Sequence, residues 1–131
     1  MFYISKDKSK FDPKAVERLL KQTYWADKRP SEQIEKSIEN SVCYGVFHKE
    51  TDELIGFART VTDFATTYYL ADVIVDENYR GNGIGKAIVN TVTTDEEMKD
   101  LFGILVTRDA HGLYQQYGFV KDGEKSMLKG K

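Results

Sequence analysis

Asp72-Val-Ile-Val-Asp-Glu-Asn-Tyr-Arg-Gly-Asn-Gly-Ile-Gly-Lys-Ala-Ile-Val89 carries an apolar strand into a turn with one arginine and three glycines, and from there straight into a helix. The first N–H groups of a helix have no acceptor within it, and the helix dipole adds partial positive charge at that end. Glycines let an anion reach the backbone with no Cβ in the way. A phosphate-bearing ligand is therefore expected at Arg80 to Gly85. Before the turn, Tyr69, Ala71, Val73 and Val75 alternate onto one face of the strand and Leu70, Asp72 and Ile74 onto the other. Both faces are mostly apolar, as in a central strand covered on both sides. After the turn, Ile84, Ala87, Ile88 and Val92 recur at helical spacing and form a core-facing stripe.

Two common phosphate motifs do not fit. A P-loop needs Gly, four residues, then Gly-Lys-Ser/Thr; ending it on Gly85-Lys86 puts Arg80 at the leading glycine and Ala87 at the hydroxyl position. The dinucleotide fingerprint G-x-G-x-x-G would need a glycine at Lys86. The pattern that fits is Arg80-x-x-Gly83-x-Gly85. Downstream lies Asp109-Ala-His-Gly-Leu-Tyr-Gln-Gln-Tyr-Gly-Phe119, a short helix that carries Tyr114 ahead of Gly118-Phe119. Gly118 suits the left-handed residue that ends a helix.

On these two stretches, in this order, the chain resembles the GNAT superfamily of N-acetyltransferases. The resemblance implies a mixed α/β sheet of the acyl-coenzyme A N-acyltransferase fold and acetyl-CoA as cosubstrate. It also implies that Arg80, Gly81, Asn82, Gly83, Ile84, Gly85 and Lys86 line the site of the coenzyme diphosphate. The strands ending at Val75 and Thr107 would splay apart, leaving main-chain groups of Val73, Ile74 and Val75 for the pantetheine arm and the thioester carbonyl.

Acetyl transfer to an amine needs three things: a deprotonated amine, a donor for the charge gathering on the carbonyl oxygen, and a proton for the departing thiolate. Tyr114 stands where the family has its catalytic tyrosine, and a phenol near pKa 10 is protonated at neutral pH. Asp72 is the one charged residue inside an otherwise apolar strand. Burial there would raise its pKa and suit a general base, unless a partner such as Arg59 holds it as a structural carboxylate. His111 is a rival base. Arg108 could reach a phosphate or form a surface ion pair, and Asp109 stands where many relatives have Asn. On the acceptor side the resemblance points to the region holding Tyr24, Trp25, Arg29 and Ser37, with Arg59, Thr62 and Asp63 on the third strand. Arg29 could grip a substrate carboxylate through two N–H groups, and Trp25 and Tyr24 read as core residues.

The 131 residues amount to one domain, 1–131, and 40% hydrophobic content supports a core. With 21 acidic and 19 basic residues the chain lacks the basic footprint of a nucleic-acid binder. No apolar run of membrane-spanning length and no signal peptide is read. Cys43 is the single cysteine, so no intrachain disulfide can form, and a cytoplasmic location is expected. Two histidines and one cysteine without ligand spacing give no metal site. The resemblance implies an amine, on a small molecule or a protein, as the partner, and because some relatives pair through sheet edges it leaves room for a homodimer.

Outward from the turn, Phe2–Ser5, Val42–His48, Leu54–Thr62, Thr67–Val75 and Leu101–Thr107 read as strands. Asp12-Pro13 opens a helix on which Val16, Leu19, Leu20 and Tyr24 repeat, and Ser31 caps a second with Ile34 and Ile38 inside. A strand from Phe119 and a short edge strand over Ser126–Lys131 complete the order β-α-α-β-β-β-α-β-α-β. Two other functions fit the same residues. One is a non-catalytic acyl-coenzyme A sensor on this fold; the other is an interaction protein whose glycine turn is only structural.

Overall fold

The computed structural model describes residues 1–130. Strands β1 (Phe2–Ser5), β2 (Val42–His48), β3 (Leu54–Thr62), β4 (Thr67–Val75) and β5 (Phe102–Leu105) form one sheet in that spatial order. The first four pair antiparallel, while β5 pairs parallel to β4. Parallel neighbours need a crossover, which is helix α3 (Ile84–Thr94). Helices α1 (Pro13–Leu20) and α2 (Ser31–Glu39) connect β1 to β2, and the short α4 (His111–Gln115) follows β5. This mixed sheet flanked by helices is the architecture expected from the sequence.

The sheet buries a core on each face. On one, Val16, Leu19 and Leu20 of α1 and Ile34 and Ile38 of α2 pack with Phe47, Phe57 and Ile74. On the other, Ile84, Ile88, Val89 and Val92 of α3 pack with Tyr44, Val46, Ile55, Tyr68 and Leu70. Each such aliphatic side chain taken out of water contributes about 1.5–3 kcal/mol.

Helix α1 starts as its sequence dictates. The Asp12 carboxylate accepts from Lys14 N–H at 3.0 Å, and Pro13 takes the first position. The helix ends sooner than the repeat suggested. The Thr23 hydroxyl donates to the Leu20 carbonyl at 2.7 Å and accepts from Ala26 N–H at 3.0 Å, closing a turn that takes Tyr24 off the core stripe. Tyr24 and Trp25 are 52% and 41% exposed, not core. Ser31 is not a cap either: Pro30 occupies that position, and the Ser31 hydroxyl donates to the Glu17 carboxylate.

Two further differences matter for function. Opposite Ala58 of β3, strand β4 carries two residues, Asp72 and Val73, so the register slips between Phe57↔Ile74 and Arg59↔Ala71. Asp72 has φ 54°, a left-handed conformation that strains most side chains and that Asp tolerates better than most. The bulge reverses the alternation along β4. Leu70 packs against α3 and Ile74 against α1 and α2, so the single face drawn through Leu70, Asp72 and Ile74 does not exist.

The chain forms no strand after α4 within the described residues; Lys131 lies outside them. Between Phe119 and Met127 the sequence offers a charged stretch, Lys121 to Lys125, rather than a strand alternation. Val120 and Met127 stay 85% and 98% exposed. A strand needs both a ladder partner and a face to bury, and beyond Phe119, which packs on the core, residues 120–130 have neither.

Candidate active site

Strands β4 and β5 pair only from Thr67↔Phe102 to Leu70↔Leu105. Beyond that, the bulge at Asp72 turns β4 away, and the two strands part. The gap is the floor of a cleft of about 970 Å³. Its walls are β4 from Tyr69 to Val75, the segment Leu105 to Ala110, the α1–α2 connection with Tyr24, Trp25 and Arg29, and Arg59 from β3. Arg80, Gly85 and Tyr114 complete it.

At one end lies the glycine turn. Gly81 and Gly83 have φ 84° and 76°, and Gly83 is the residue from which α3 starts. An added Cβ would meet nothing within 4 Å at Gly83, so the backbone conformation, not crowding, calls for glycine there. The Asn82 side chain donates to the Tyr79 carbonyl at 2.9 Å and staples the turn. The first bond into the helix runs from Ala87 N–H to the Gly83 carbonyl, so the amides of Ile84, Gly85 and Lys86 have no acceptor in α3. Of the seven residues expected here, only Arg80 and Gly85 line the cleft. Ile84 buries its side chain in the core and offers only its amide, and Lys86 points to solvent. The fit to a diphosphate rests on these amides and on Arg80.

In the cleft wall stands Tyr114. The sequence Tyr114-Gln-Gln-Tyr-Gly118-Phe119 acts as a helix stop: Phe119 N–H donates to the Tyr114 carbonyl at 3.3 Å, and Gly118 N–H to the Gln115 carbonyl at 3.4 Å, with Gly118 at φ 91°. The same stop brings the Phe119 ring edge-on to Tyr114, at 6.1 Å between centroids. So the spacing Tyr-x-x-x-Gly-Phe fixes where the phenol sits. Its hydroxyl makes no hydrogen bond among the described residues. Burial, helped by the nearby charge of Asp109, pushes its pKa up to about 12.

Asp72 departs from the expectation made for it. Its carboxylate has a donor on each oxygen: Trp25 Nε1–H donates to Oδ1 at 3.1 Å, while Arg29 Nη1–H and Arg59 Nε–H both donate to Oδ2, at 2.7 and 2.6 Å. Burial alone would raise its pKa, but the Arg29 hydrogen bond and the Arg59 charge and hydrogen bond outweigh it, and the net shift is downward. The raised pKa that would suit a general base is reversed. A carboxylate with both oxygens occupied is a structural anchor, and Arg59, the partner anticipated for it, is one of its three donors.

Other expected residues fall elsewhere. The Ser37 hydroxyl donates to the Ile34 carbonyl within α2, and Thr62 bonds the Thr67 carbonyl. Asp63 accepts from Ala65 and Thr66 in the β3–β4 turn. None of the three lines the cleft, and neither does His111. Arg108 does line it, with its guanidinium 3.9 Å above the Tyr24 ring, and it forms no salt bridge among the described residues. Sequence reading passed over Tyr69, which is 41% exposed in the cleft. The only available signal was an aromatic residue three positions before the charged residue that interrupts an apolar strand. Cys43 is buried, and burial pushes its thiol up to about 11. Among the described residues, no group of three or more His, Cys, Asp and Glu side chains could hold a metal ion.

Three kinds of comparison bear on the family of this chain. The model of the Acetyltransferase (GNAT) family matches residues 13–119. An uncharacterized N-acetyltransferase from Gracilaria tenuistipitata var. liui is 28% identical over 120 residues, covering 86% of this chain and 65% of that protein. A histone acetyltransferase from Glycine max is 28% identical over 109 residues, covering 74% and 47%. The chain thus spans 47% to 65% of the length of these relatives. A crystal structure of a putative acetyltransferase of the GNAT family from Xanthomonas campestris pv. campestris superposes with a TM-score of 0.92 at 34% identity, covering 100% of this chain and 94% of that one. A predicted acetyltransferase from Clostridium acetobutylicum, described with acetyl-CoA, shares the fold at a TM-score of 0.72 and 17% identity, covering 98% and 96%. With two signatures explained by backbone geometry and a family match over most of its length, the chain belongs to the GNAT acetyltransferase family.

Proposed function

We propose that this chain moves an acetyl group from acetyl-CoA to a primary amine by direct attack in a ternary complex. One observation carries the reading: the glycine turn with its unpaired amides and the unpartnered Tyr114 hydroxyl border the same cleft, where β4 and β5 part. Amides between Gly81 and Lys86, with the Arg80 guanidinium, would hold the diphosphate. Main chain of Val73, Ile74 and Val75, freed from β5, would pair with the pantetheine arm and donate to the thioester oxygen as it gathers charge.

The chemistry balances without a covalent enzyme intermediate. The neutral amine forms the new C–N bond, the C–S bond breaks, and its electron pair leaves on sulfur. The amine's surplus proton passes to water in the cleft, since the Asp72 carboxylate, with its pKa held down by Arg29 and Arg59, is a poor proton acceptor. Tyr114 O–H donates to the departing sulfur, and a phenol with a pKa of about 12 is available for this across the neutral range. Holding both reactants in one cleft supplies much of the acceleration.

Thiol release from acetyl-CoA across an amine library, together with the thermal shift produced by coenzyme A, tests this. A ligand bound only by the folded chain must raise its melting temperature. Stabilisation with thiol release supports the enzyme. Stabilisation without release for any amine supports the non-catalytic sensor, and no stabilisation leaves the glycine turn with only a structural role.

A further inference from the structure

We infer that the amine acceptor carries an anionic group, a carboxylate or a phosphate, and that Arg29, backed by Arg59, is the residue that selects it. This rests on the acetyl-transfer reading and names the substrate class of the same site.

The chain as a whole is acidic, with a net charge of −2. Its cleft is the reverse. The charged residues lining it are Arg29, Arg59, Arg80 and Arg108 against Asp72 and Asp109. Arg80 belongs to the glycine turn and serves the diphosphate. The other three arginines sit on the acceptor side, where the coenzyme reading assigns them no task.

The Asp72 cluster shows why this charge is available to a ligand. Two guanidinium groups share one carboxylate, and that carboxylate also accepts from Trp25, so the cluster keeps one positive charge. The arginines are not fully committed. Arg59 uses Nε on Asp72 and Nη1 on the Ser41 hydroxyl, at 3.2 Å. Arg29 uses Nη1 alone. Among the described residues, Arg29 Nε and Nη2 and Arg59 Nη2 have no partner. Both side chains are mostly withdrawn from water, at 13% and 15% exposure, yet these unpartnered N–H groups are not among the buried atoms and stay accessible to a ligand from the cleft. A planar guanidinium with adjacent free donors matches a carboxylate or phosphate edge. A second ammonium, as on a polyamine, would meet net positive charge at this cluster. The aromatic wall of Tyr24 and Trp25, with Arg108 stacked at its rim, closes the same pocket.

The test compares matched acceptors by thiol-release kinetics on the full chain: amino acids against their methyl esters, an amino-sugar phosphate against the parent amino sugar, and spermidine. The expected result is a kcat/KM at least ten-fold higher for the anionic member of a pair, and the pair that shows it tells carboxylate from phosphate. In Arg29→Gln the preference should fall to near unity through a rise in acceptor KM, with the acetyl-CoA KM unmoved. Arg29→Lys keeps the charge opposite Asp72 but loses the fork. It should fold as the parent does and still raise the anionic acceptor's KM several-fold. Equal use of anionic and neutral twins, a preference for spermidine, or an unchanged acceptor KM in Arg29→Lys overturns this inference and leaves acetyl transfer standing. Failure to bind coenzyme A overturns both.

Discussion

Asp72→Asn separates a structural anchor from a catalytic base. Asparagine is nearly isosteric and is among the few residues that accept the left-handed backbone at φ 54°, so the bulge itself is not strained further. What changes is charge and donor count. Asn keeps one acceptor oxygen. Turned toward Trp25, it presents its NH2 to two guanidinium groups; turned the other way, it faces the indole N–H with donors. Either orientation leaves Arg29 and Arg59 charged, mostly buried and uncompensated. Removing one partner of a buried ion pair costs about 3–5 kcal/mol, a large share of the roughly 5–15 kcal/mol that holds a domain together. With a urea m-value of about 1–3 kcal/mol/M, the unfolding midpoint should fall by about 2 M at neutral pH. The loss is pH-dependent in a definite direction. The Asp72 pKa is lowered in the fold, so its contribution is present above the unfolded value near 3.9 and disappears as pH falls through the lower folded value. The gap between the parent and Asp72→Asn should therefore close in acid. Urea melts followed by circular dichroism at neutral pH and near pH 3 measure both effects. A midpoint within about 0.3 M of the parent at neutral pH, or a gap that widens in acid, refutes the anchor.

Tyr114→Phe removes a hydroxyl that makes no hydrogen bond among the described residues, so the melting temperature and coenzyme affinity should hold while kcat drops roughly a hundred- to ten-thousand-fold; unchanged turnover removes Tyr114 from the mechanism. Gly118→Ala forces a Cβ into the left-handed residue that stops α4, at about 1–2 kcal/mol. It should lower stability by that amount in urea melts and kcat with it, because the Tyr114 ring is placed by the same stop. Gly83→Ala meets no steric contact but the same backbone penalty, and isothermal titration should show coenzyme A binding weakened about ten-fold or more. Cys43, buried and with its thiol pushed up to about 11, should resist thiol reagents at pH 8 until denaturant is added; rapid labelling of the native chain contradicts its burial.

Much of this protein is written locally. Strands β1, β2, β3 and β4 begin and end at the residues where the hydrophobic pattern and turn residues place them. The glycine turn and the Tyr114–Gly118–Phe119 stop are local because hydrogen bonds between residues three to five apart close them. Such features depend on neighbouring backbone and can be read from a linear string. The acceptor side cannot. Arg29 meets Asp72 across 43 positions and Trp25 meets it across 47. Those contacts exist because a single extra residue in β4 turns Asp72 toward α1 and α2, and only the register against β3 reveals it. Sequence supplied a lone acid in an apolar strand, and alone it could read that acid as a base with a raised pKa. The tertiary structure surrounded it with two guanidinium groups and an indole, which reversed the shift and left spare positive charge facing the cleft. Charge compensation in a low-dielectric interior acts through space, so the role of Asp72 was decided by which distant side chains the fold brought within hydrogen-bonding reach.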